Sequence, residues 1–399
     1  MNDLLEQETL DLPVLTEQVS LPDSLLGSAS IGEASIAVPV LTDLAIAPLD
    51  LPMDLPTEAP PILTDIVESA PVPVVDAQSL PNLLKAAGDG FRLEILRVLA
   101  QDSFGVLELC RVFAAKQSGM SHHLKVLTSA GLLSTRREGN SIFYRRSYLV
   151  PDNPLANLQQ ALFASIDQMP ISDAVQTQLR ELEQERSLAS QHFFAENAHK
   201  FREQQDLIAS YPVYAEHVIQ LLNSTPLRNW NLALEVGPGE GEFLPILAQK
   251  FSQVVALDSS AEMLSKSKDH VQKIKEAKRQ NLRSMEFIHG DTHVLAEKKV
   301  LADCIVVNMV LHHTPSPADI FQDLSKALAP GGALLICDLC RHEQAWAREA
   351  CGDLWQGFEP QDFSRWASAA SLNEGQSVYF ALRNGFQIQL RQFFKPANF

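Results

Sequence analysis

The first 84 residues of this chain contain no lysine and no arginine, and the first cationic side chain is Lys85. The first eighty residues carry fourteen Asp and Glu, which is most of the net charge of −17. Low opposing charge and recurrent proline predict that residues 1–79 form a disordered arm. The arm either folds back onto a basic domain of the chain and competes for its ligand, or serves only as a solubilising tail.

Cysteine is sparse, with five residues in 399, and the sequence has no long uninterrupted apolar run. A membrane-spanning helix needs about 20 consecutive apolar residues, so none is expected. The acidic start lacks the cationic segment that opens a secretory signal, and so few cysteines do not suggest a disulfide framework. We therefore expect a cytoplasmic protein with no membrane partner.

Glycines alternate with other residues in the run LALEVGPGEGEFLPIL, residues 232–247. The run predicts a buried strand, a tight turn and the start of a helix, and a second apolar strand ends at Asp258. An acid at that position holds a ribose in nucleotide-binding α/β folds. Glycine permits positive φ and lets a ligand approach the backbone. The alternative is an ordinary strand-to-helix turn followed by a surface aspartate.

The spacing G-x-G-x-G, preceded by Glu235, differs from the G-x-G-x-x-G of dinucleotide sites and resembles motif I of class I S-adenosylmethionine-dependent methyltransferases. Later segments follow the same family order, namely DSSAEML at 258–264, FIHGD at 287–291, DCIVVNMVLHH at 303–313 and LAPGG at 328–332. The resemblance covers about residues 190–399 and is closest to the small-molecule branch that includes quinone-biosynthesis enzymes. It implies a Rossmann-like α/β fold, with a mostly parallel sheet and an antiparallel last strand.

The resemblance also implies contacts to S-adenosylmethionine as cofactor. Glu235 would accept a hydrogen bond from the methionine amino group, Asp258 would bind both ribose hydroxyls, and Asp291 would accept from the adenine amine. Met263 either packs on the adenine or belongs to the core. The predicted cofactor-binding residues are Glu235, Gly237, Gly239, Gly241, Asp258, Ser259, Met263, Asp291, Thr292 and Asn308.

His312 and His313 follow the fourth strand of the predicted sheet, at the end where open parallel sheets bind ligands. An imidazole there would take a proton from a substrate hydroxyl, so both are candidate catalytic residues. A helix cap or a neutral pocket wall is the alternative. The stretch NMVL at 308–311 replaces the N/D-P-P-Y/F of amino-methylating DNA enzymes, which disfavours base methylation and favours a small-molecule acceptor.

Residues 80–150 show a second pattern, a helix–turn–helix followed by a basic hairpin. The stretch KQSGMSHHLKVLTSAGLLSTRREGNSIFYR, residues 116–145, resembles the ArsR/SmtB family of winged-helix transcription regulators. Residues 85–150 carry ten Lys and Arg against five Asp and Glu, a net charge of +5. Because DNA affinity depends largely on phosphate neutralisation, we expect a double-stranded operator as partner. The alternative is a dimerisation or substrate-gating module whose basic face is only solvated.

The recognition helix and the wing supply the predicted DNA contacts. The helix would face base edges or phosphates, and the wing arginines would reach the backbone or the minor groove. These residues are Gln117, Ser118, Ser121, His122 and Lys125 on the helix, and Arg136, Arg137 and Arg145 at the wing. Helices within residues 151–195 would form the homodimer that a palindromic operator requires.

The cysteines do not predict a metal site. Metal-sensing ArsR/SmtB members carry Cys-x-Cys before the recognition helix, whereas Val112 stands here where a second thiolate would follow Cys110. One thiol cannot complete a zinc site or a site for a trivalent thiophile. Cys337 and Cys340 form a C-x-x-C that follows the fifth predicted strand near the cofactor. Together with Cys351 they offer three thiols, the basis of an alternative in which the enzyme methylates arsenic.

The sequence therefore predicts four regions: an arm (1–79), a winged helix (80–150), a helical connector (151–195) and a methyltransferase domain (196–399). The expected function is S-adenosylmethionine-dependent methylation of a small molecule by an enzyme fused to a DNA-binding regulator domain. The alternative is an ArsR-type regulator whose methyltransferase fold senses the cofactor or a metabolite without catalysis.

Overall fold

The computed structural model describes residues 77–138, 141–150, 152–278 and 284–397. The predicted disordered arm lies almost wholly outside these residues, and so does the tip of the wing at Gly139 and Asn140. No helix among the described residues is both long and apolar enough to cross a bilayer.

The first folded part is a winged helix, as its sequence pattern predicts. Its elements are α1 (Ser79–Ala87), α2 (Gly90–Val98), β1 (Phe104–Gly105), α3 (Val106–Val112), α4 (Gln117–Ser129), β2 (Leu133–Glu138) and β3 (Ser141–Arg146). The strands form an antiparallel sheet of order β1-β3-β2. Asp89 caps α2 by accepting a hydrogen bond from the Arg92 backbone N–H at 3.0 Å. Gly131 follows α4 with φ of +72°, the left-handed conformation that commonly ends a helix.

Four helices connect the winged helix to the second sheet. They are α5 (Ala156–Asp167), α6 (Asp173–Asn197), α7 (Phe201–Ile208) and α8 (Tyr211–Ser224), with a 3₁₀ turn at Ala198–Lys200. Pro170 lies in the break between α5 and α6. Helix α6 is the long member, with 25 residues, and it packs against α3 of the winged helix.

The second sheet has seven strands in the order β6-β5-β4-β7-β8-β10-β9. The elements are β4 (Leu232–Val236), α9 (Leu244–Lys250), β5 (Gln253–Asp258), α10 (Ala261–Lys278), β6 (Ser284–His289), α11 (Val294–Glu297), β7 (Ala302–Asn308), a 3₁₀ turn (Leu311–His313), α12 (Pro317–Ala327), β8 (Leu328–Leu339), α13 (Trp346–Cys351), α14 (Pro360–Ala369), β9 (Asn373–Ala381) and β10 (Gln387–Phe394). Strands β4 to β8 are parallel, and β10 runs antiparallel to both of its neighbours. This is the predicted Rossmann-like arrangement. The strand order reverses between β4 and β7, where open α/β sheets form their ligand crevice.

The winged helix and the seven-stranded sheet share apolar packing. One core cluster of the sheet includes Phe321, Phe363 and Phe393. The same cluster includes Phe143 of β3 and Trp355 of the segment before α14, whose ring centroids lie 5.6 Å apart. Residues 352–369, which include α14, therefore cover part of the wing. We call this segment the cap.

Candidate functional site

A cavity of about 500 Å³ opens at the carboxyl ends of β4, β5 and β7. This volume lies within the range of about 300–1,000 Å³ that small-molecule sites occupy. Nine of the ten predicted cofactor-binding residues line it: Glu235, Gly237, Gly239, Asp258, Ser259, Met263, Asp291, Thr292 and Asn308. The sequence pattern therefore locates the cavity, although its segments are spread over more than seventy residues.

The glycine turn after β4 is required largely by the protein's own packing. Gly237 has φ of +63°, and a Cβ there would lie 2.5 Å from Cγ2 of Val310. Gly241 has φ of +83°, and its Cβ would lie 3.0 Å from Cα of Ser267. Gly241 thus faces α10, the helix that carries Ser267, and it is not among the residues that line the cavity. Gly239, with φ of +57°, lines the cavity as Gly237 does, whereas Gly241 does not, so the cofactor contact expected of Gly241 stays a prediction.

Two buried side chains on neighbouring strands meet at the cavity wall. Asn308 Nδ2 donates a hydrogen bond to Glu235 Oε1 at 3.4 Å. The remaining oxygens, Glu235 Oε2 and Asn308 Oδ1, are buried and have no hydrogen-bond partner among the described residues. Burial raises the pKa of Glu235 to about 8, against a smaller lowering by Asn308. Unpaired buried acceptors are costly, so this pair fits a ligand that brings hydrogen-bond donors, preferably on a cation.

Asp258 ends β5, where the sequence predicts a ribose contact. Its Oδ1 accepts a hydrogen bond from the Ser260 backbone N–H at 2.8 Å. Burial raises its pKa to about 6, which the Ser260 N–H and His289 partly oppose. Ser259 beside it is exposed. A carboxylate held by one backbone bond keeps further acceptor capacity for hydroxyl groups of a ligand.

The loop after β6 presents Asp291 to the cavity and turns Thr292 inward. Asp291 is exposed, and its Oδ1 accepts from the His293 backbone N–H at 3.1 Å. Thr292 Oγ1 donates to Asp323 Oδ2 at 2.9 Å, so this hydroxyl holds the loop to α12. Met263 is buried and also lines the cavity, which agrees with either of its two predicted roles.

The two candidate catalytic histidines occupy different environments. His313 lines the cavity, and its ring meets the edge of Phe194 with centroids 5.0 Å apart. His312 is not among the lining residues; its Nδ1 lies 2.7 Å from Asp338 Oδ1. Burial, together with the charge of His312, holds the pKa of His313 well below its usual value. Burial opposes protonation of His312 as well, but Asp338 and Asp353 raise its pKa.

Helices α6 and α8 form a roof over the cavity that no motif identifies. Phe194 and Ser190 come from α6, and Tyr211 and Tyr214 come from α8. Ser190 Oγ donates to the His313 carbonyl at 3.0 Å, which ties the roof to the wall. The sequence offers only the aromatic pairs as a signal, and it leaves open whether they line the cavity or pack in the core.

The recognition helix α4 exposes its predicted DNA contacts. Its buried face consists of Met120, Leu124 and Leu127, which hold it to the rest of the winged helix. The exposed face carries all five predicted residues, Gln117, Ser118, Ser121, His122 and Lys125. This face is therefore accessible to a duplex.

The wing arginines differ from the expectation that all three reach DNA. Arg137 is exposed, whereas Arg136 and Arg145 are 3% and 4% exposed. Arg145 Nη1 donates to both carboxylate oxygens of Asp362 at 2.9 Å. Arg136 Nη2 donates to the Gly357 carbonyl at 2.7 Å and also pairs with Glu138. In this conformation the cap takes the place predicted for phosphate.

The ionic cluster between wing and cap is buried. Burial would raise the pKa of Asp362, but Arg145, Arg365 and Arg136 together hold it below its usual value. Glu138 accepts a hydrogen bond from the Gln356 backbone N–H at 2.7 Å. Buried charges persist when they are paired, and Arg136 and Arg145 of the wing both pair with Asp362 of the cap.

The cysteine thiols are largely buried. Cys337 and Cys340 belong to the core around β8, and Cys351 Sγ donates to the Gln204 carbonyl at 3.3 Å. Burial raises the pKa of Cys340 to about 11 and that of Cys351 to about 12. Among the described residues these thiols do not form a group close enough to hold one ion. The arsenic-methylating alternative therefore gains no support from their placement.

Both parts of the chain match known families. Residues 89–135 match the model of bacterial regulatory proteins of the arsR family, and residues 213–375 match the model of a methyltransferase domain. The arsenical resistance operon repressor of Staphylococcus aureus is 33% identical over 81 residues, which are 20% of this chain and 78% of the repressor. Trans-aconitate 2-methyltransferase of Azoarcus sp. (strain BH72) is 31% identical over 118 residues, 29% of this chain and 42% of the enzyme.

A solved structure similar to the second part is the N-methyltransferase NodS from Bradyrhizobium japonicum WM9, in complex with S-adenosyl-L-homocysteine. It is 19% identical, with a TM-score of 0.37, and the match covers 49% of this chain and 98% of NodS. Among the curated relatives that match by sequence, the share of the relative's own length that this chain spans runs from 36% to 88%.

Fold and matches together define a winged-helix regulator domain joined to a Rossmann-like methyltransferase domain. The chain belongs to the arsR family of bacterial regulatory proteins. Its ArsR-type DNA-binding domain is fused to the methyltransferase domain, with α5 to α7 between the two.

Proposed function

We propose that the chain transfers the methyl group of S-adenosylmethionine to a small molecule, and that its winged helix binds a double-stranded DNA operator as part of a cytoplasmic homodimer. The enzymatic part rests on two buried oxygens, Glu235 Oε2 and Asn308 Oδ1, that have no hydrogen-bond partner among the described residues. These oxygens lie in the wall of the cavity at the point where the strand order reverses. Relatives with methyltransferase names support the same reaction class.

The residues present fit the cofactor along one side of the cavity. Glu235 and Asn308 would accept hydrogen bonds from its ammonium group, and Asp258 would bind the ribose hydroxyls. Asp291 would face the adenine amine and Met263 would pack on the adenine ring. The cofactor supplies an activated methyl group on sulfur; the protein supplies position and exclusion of water.

His313 is the candidate proton acceptor on the acceptor side of the cavity. Its lowered pKa keeps the ring neutral near pH 7, which is the form that accepts a proton. The roof of Phe194 and Tyr214 would exclude water from the transferring methyl group. His312 touches Asp338 rather than the cavity, so we assign it a positioning role in place of the predicted catalytic one.

The test of the cofactor site is a calorimetric titration with S-adenosylmethionine near pH 7, in two buffers of different ionisation enthalpy. Glu235 has a pKa of about 8 in the free protein, so it is mostly protonated at pH 7. A bound ammonium group stabilises the carboxylate and lowers that pKa, so binding should release about one proton. Raising the pH above about 9 should abolish the release, because Glu235 is then already ionised.

The Glu235→Gln variant should bind about ten- to a hundredfold more weakly and release no proton, because it lacks the titrating group and the charge. Glu276→Gln, a change at an exposed acid of α10, is the matched control and should behave like the wild type. Absence of wild-type binding, or an equal proton release from Glu235→Gln, would contradict the site.

One observation also favours the regulator alternative. Helix α6 lines the cavity. It also contacts the winged helix, where Arg186 Nη2 of α6 donates to both carboxylate oxygens of Glu108 in α3 at 2.7 Å. An operator selected in vitro from random duplexes allows both readings to be tested. A change of operator affinity on adding S-adenosylmethionine, without turnover of any acceptor, would support sensing. Turnover with unchanged operator affinity would support an enzyme whose two parts act independently.

A further inference from the structure

Asp353 of the cap is a buried carboxylate without a hydrogen-bond donor. The residue is 1% exposed, and neither of its oxygens has a hydrogen-bond partner among the described residues. The nearest ring nitrogens are His313 Nδ1 at 3.6 Å and His312 Nε2 at 3.9 Å from Oδ1. Both distances are too long for hydrogen bonds. A carboxylate in such a place is neutralised either by a proton or by a bound cation.

His312 is held so that its second nitrogen points to this carboxylate. Asp338 Oδ1 lies 2.7 Å from His312 Nδ1. Asp338 is fixed in turn, because it accepts hydrogen bonds from the backbone N–H groups of Leu311 at 2.8 Å and Leu339 at 2.7 Å. A carboxylate behind one ring nitrogen is the usual orientation of a histidine that binds a metal ion through the other.

The spacing of the three groups is close to what one small cation demands. One ligand atom from each of His312, His313 and Asp353 can be chosen so that all lie within 4.8 Å of one another. An ion about 2.0–2.2 Å from each ligand in tetrahedral geometry would place them about 3.3–3.6 Å apart. The observed separations to Asp353 lie at the upper end of this range or a few tenths of an ångström above it. His313 Nδ1 now lies 3.3 Å from the Gly352 carbonyl, a contact that the ion would replace.

We propose that His312, His313 and Asp353 bind one divalent transition-metal ion of the zinc type, behind the wall of the cavity. Two imidazoles and one carboxylate suit such an ion. Its charge would also balance the local excess of carboxylates, since Asp338 and Asp353 lie in the same buried region. Three protein ligands leave a fourth tetrahedral position for a water or for an atom of a bound molecule.

The ion would join the 3₁₀ turn at the cavity to the cap that packs on the wing. The 3₁₀ turn Leu311–His313 borders the cavity, and the cap holds the wing. These segments already meet at one atom, because the Leu354 and Trp355 backbone N–H groups donate to the His312 carbonyl at 2.9 and 3.0 Å. A His313 ring bound to metal through one nitrogen would also lose its role as a proton acceptor, so metal-free and metal-loaded proteins should differ in activity.

The test uses the full chain, freed of metal with a chelator and titrated with Co(II) as a spectroscopic probe and Zn(II) by calorimetry. We expect one ion per chain and the visible absorption of tetrahedral Co(II), without the charge-transfer band that thiolate ligands give. Asp353→Asn and His313→Gln should each weaken binding at least tenfold, and Asp338→Asn about ten- to a hundredfold through the orientation of His312. His342→Gln, at a buried histidine outside the group, should bind like the wild type.

No stoichiometric binding by the wild type would overturn the proposal, and so would equal binding by Asp353→Asn and His313→Gln. If Asp353→Asn does not fold, His313→Gln decides, because His313 borders the cavity and the glutamine amide can still donate to the Gly352 carbonyl. Metal binding is read by absorption and cofactor binding by the separate titration. Failure of one measurement therefore does not imply failure of the other.

Discussion

The recognition helix and the wing belong to one small domain, yet the structure treats their predicted DNA contacts in opposite ways. Lys125 and its neighbours on α4 face solvent. Arg136 and Arg145 of the wing are buried against the cap of the methyltransferase domain. Cationic residues that look equivalent in the sequence therefore occupy two environments: Lys125 faces solvent on the helix, and Arg136 and Arg145 are held by the cap on the wing.

The difference has a consequence for DNA binding. A guanidinium can contact phosphate only after it leaves the carboxylate that holds it, and separating a buried ion pair is costly. In this conformation the duplex can be reached by the exposed face of α4 and by Arg137. The fused domain thus limits how much of the usual winged-helix surface is available.

The largest effect, on stability, should come from breaking the ion pairs that hold the wing to the cap. Asp362→Asn leaves Arg145, Arg136 and Arg365 facing a neutral amide in a buried site. We expect the free energy of unfolding, measured by urea denaturation at pH 7, to fall by about 3–5 kcal/mol. Asp269→Asn, at an exposed aspartate of α10, should change it by less than about 0.5 kcal/mol. A loss below about 1 kcal/mol for Asp362→Asn would mean that water, not the carboxylate, solvates these arginines.

The pH dependence of that stability follows from the lowered pKa of Asp362. A carboxyl group whose folded-state pKa lies below its unfolded value of 3.8 stabilises fully above that value. The stabilisation is lost as the pH falls through the lowered folded-state pKa. The stability difference between wild type and Asp362→Asn should therefore be constant from neutral pH to about pH 5 and shrink only below about pH 4.

A smaller effect, on DNA affinity, should come from a charge change on the exposed face of α4. Lys125→Glu places a negative charge on the exposed face of α4 and should weaken binding to any duplex about tenfold or more, or about 1.4 kcal/mol. Lys273→Glu, on the exposed surface of α10, alters the net charge equally and should have little effect. Fluorescence anisotropy with a labelled duplex measures both. Equal losses from the two variants would show that net charge alone, and not α4, governs binding.

Local pattern was enough to predict the elements and the cavity, but not the environment of single side chains. Strand ends carry Glu235, Asp258 and Asn308 to one edge because parallel strands share a direction. By contrast, Arg145 and Asp362 are separated by 217 residues, and neither lies in a pattern that announces the other. Only the packing of the cap on the wing brings them together.

His312 and His313 show that the sequence pattern does not predict the environment of a single side chain even for neighbouring residues. His312 and His313 are adjacent and were predicted to share one role. The 3₁₀ turn directs one ring to Asp338 and the other to the cavity. Asp353, which lies near both, belongs to no motif, because its place in the sequence is an irregular stretch of the cap. The metal site proposed for it rests on its burial, which is a property of the fold.

The smallest expected effect separates the two classes of wing arginine. The salt dependence of DNA affinity counts the phosphates that a protein neutralises. Arg137→Ala should weaken binding by about two- to threefold and reduce the slope of log K against log salt by about 1, if Arg137 contacts a phosphate. Arg145→Gln, compared at a temperature where both variants are folded, should leave the slope unchanged, because its guanidinium already belongs to Asp362. An equal reduction by both variants would mean that the wing leaves the cap when DNA binds, and that the attachment seen here is one of two states.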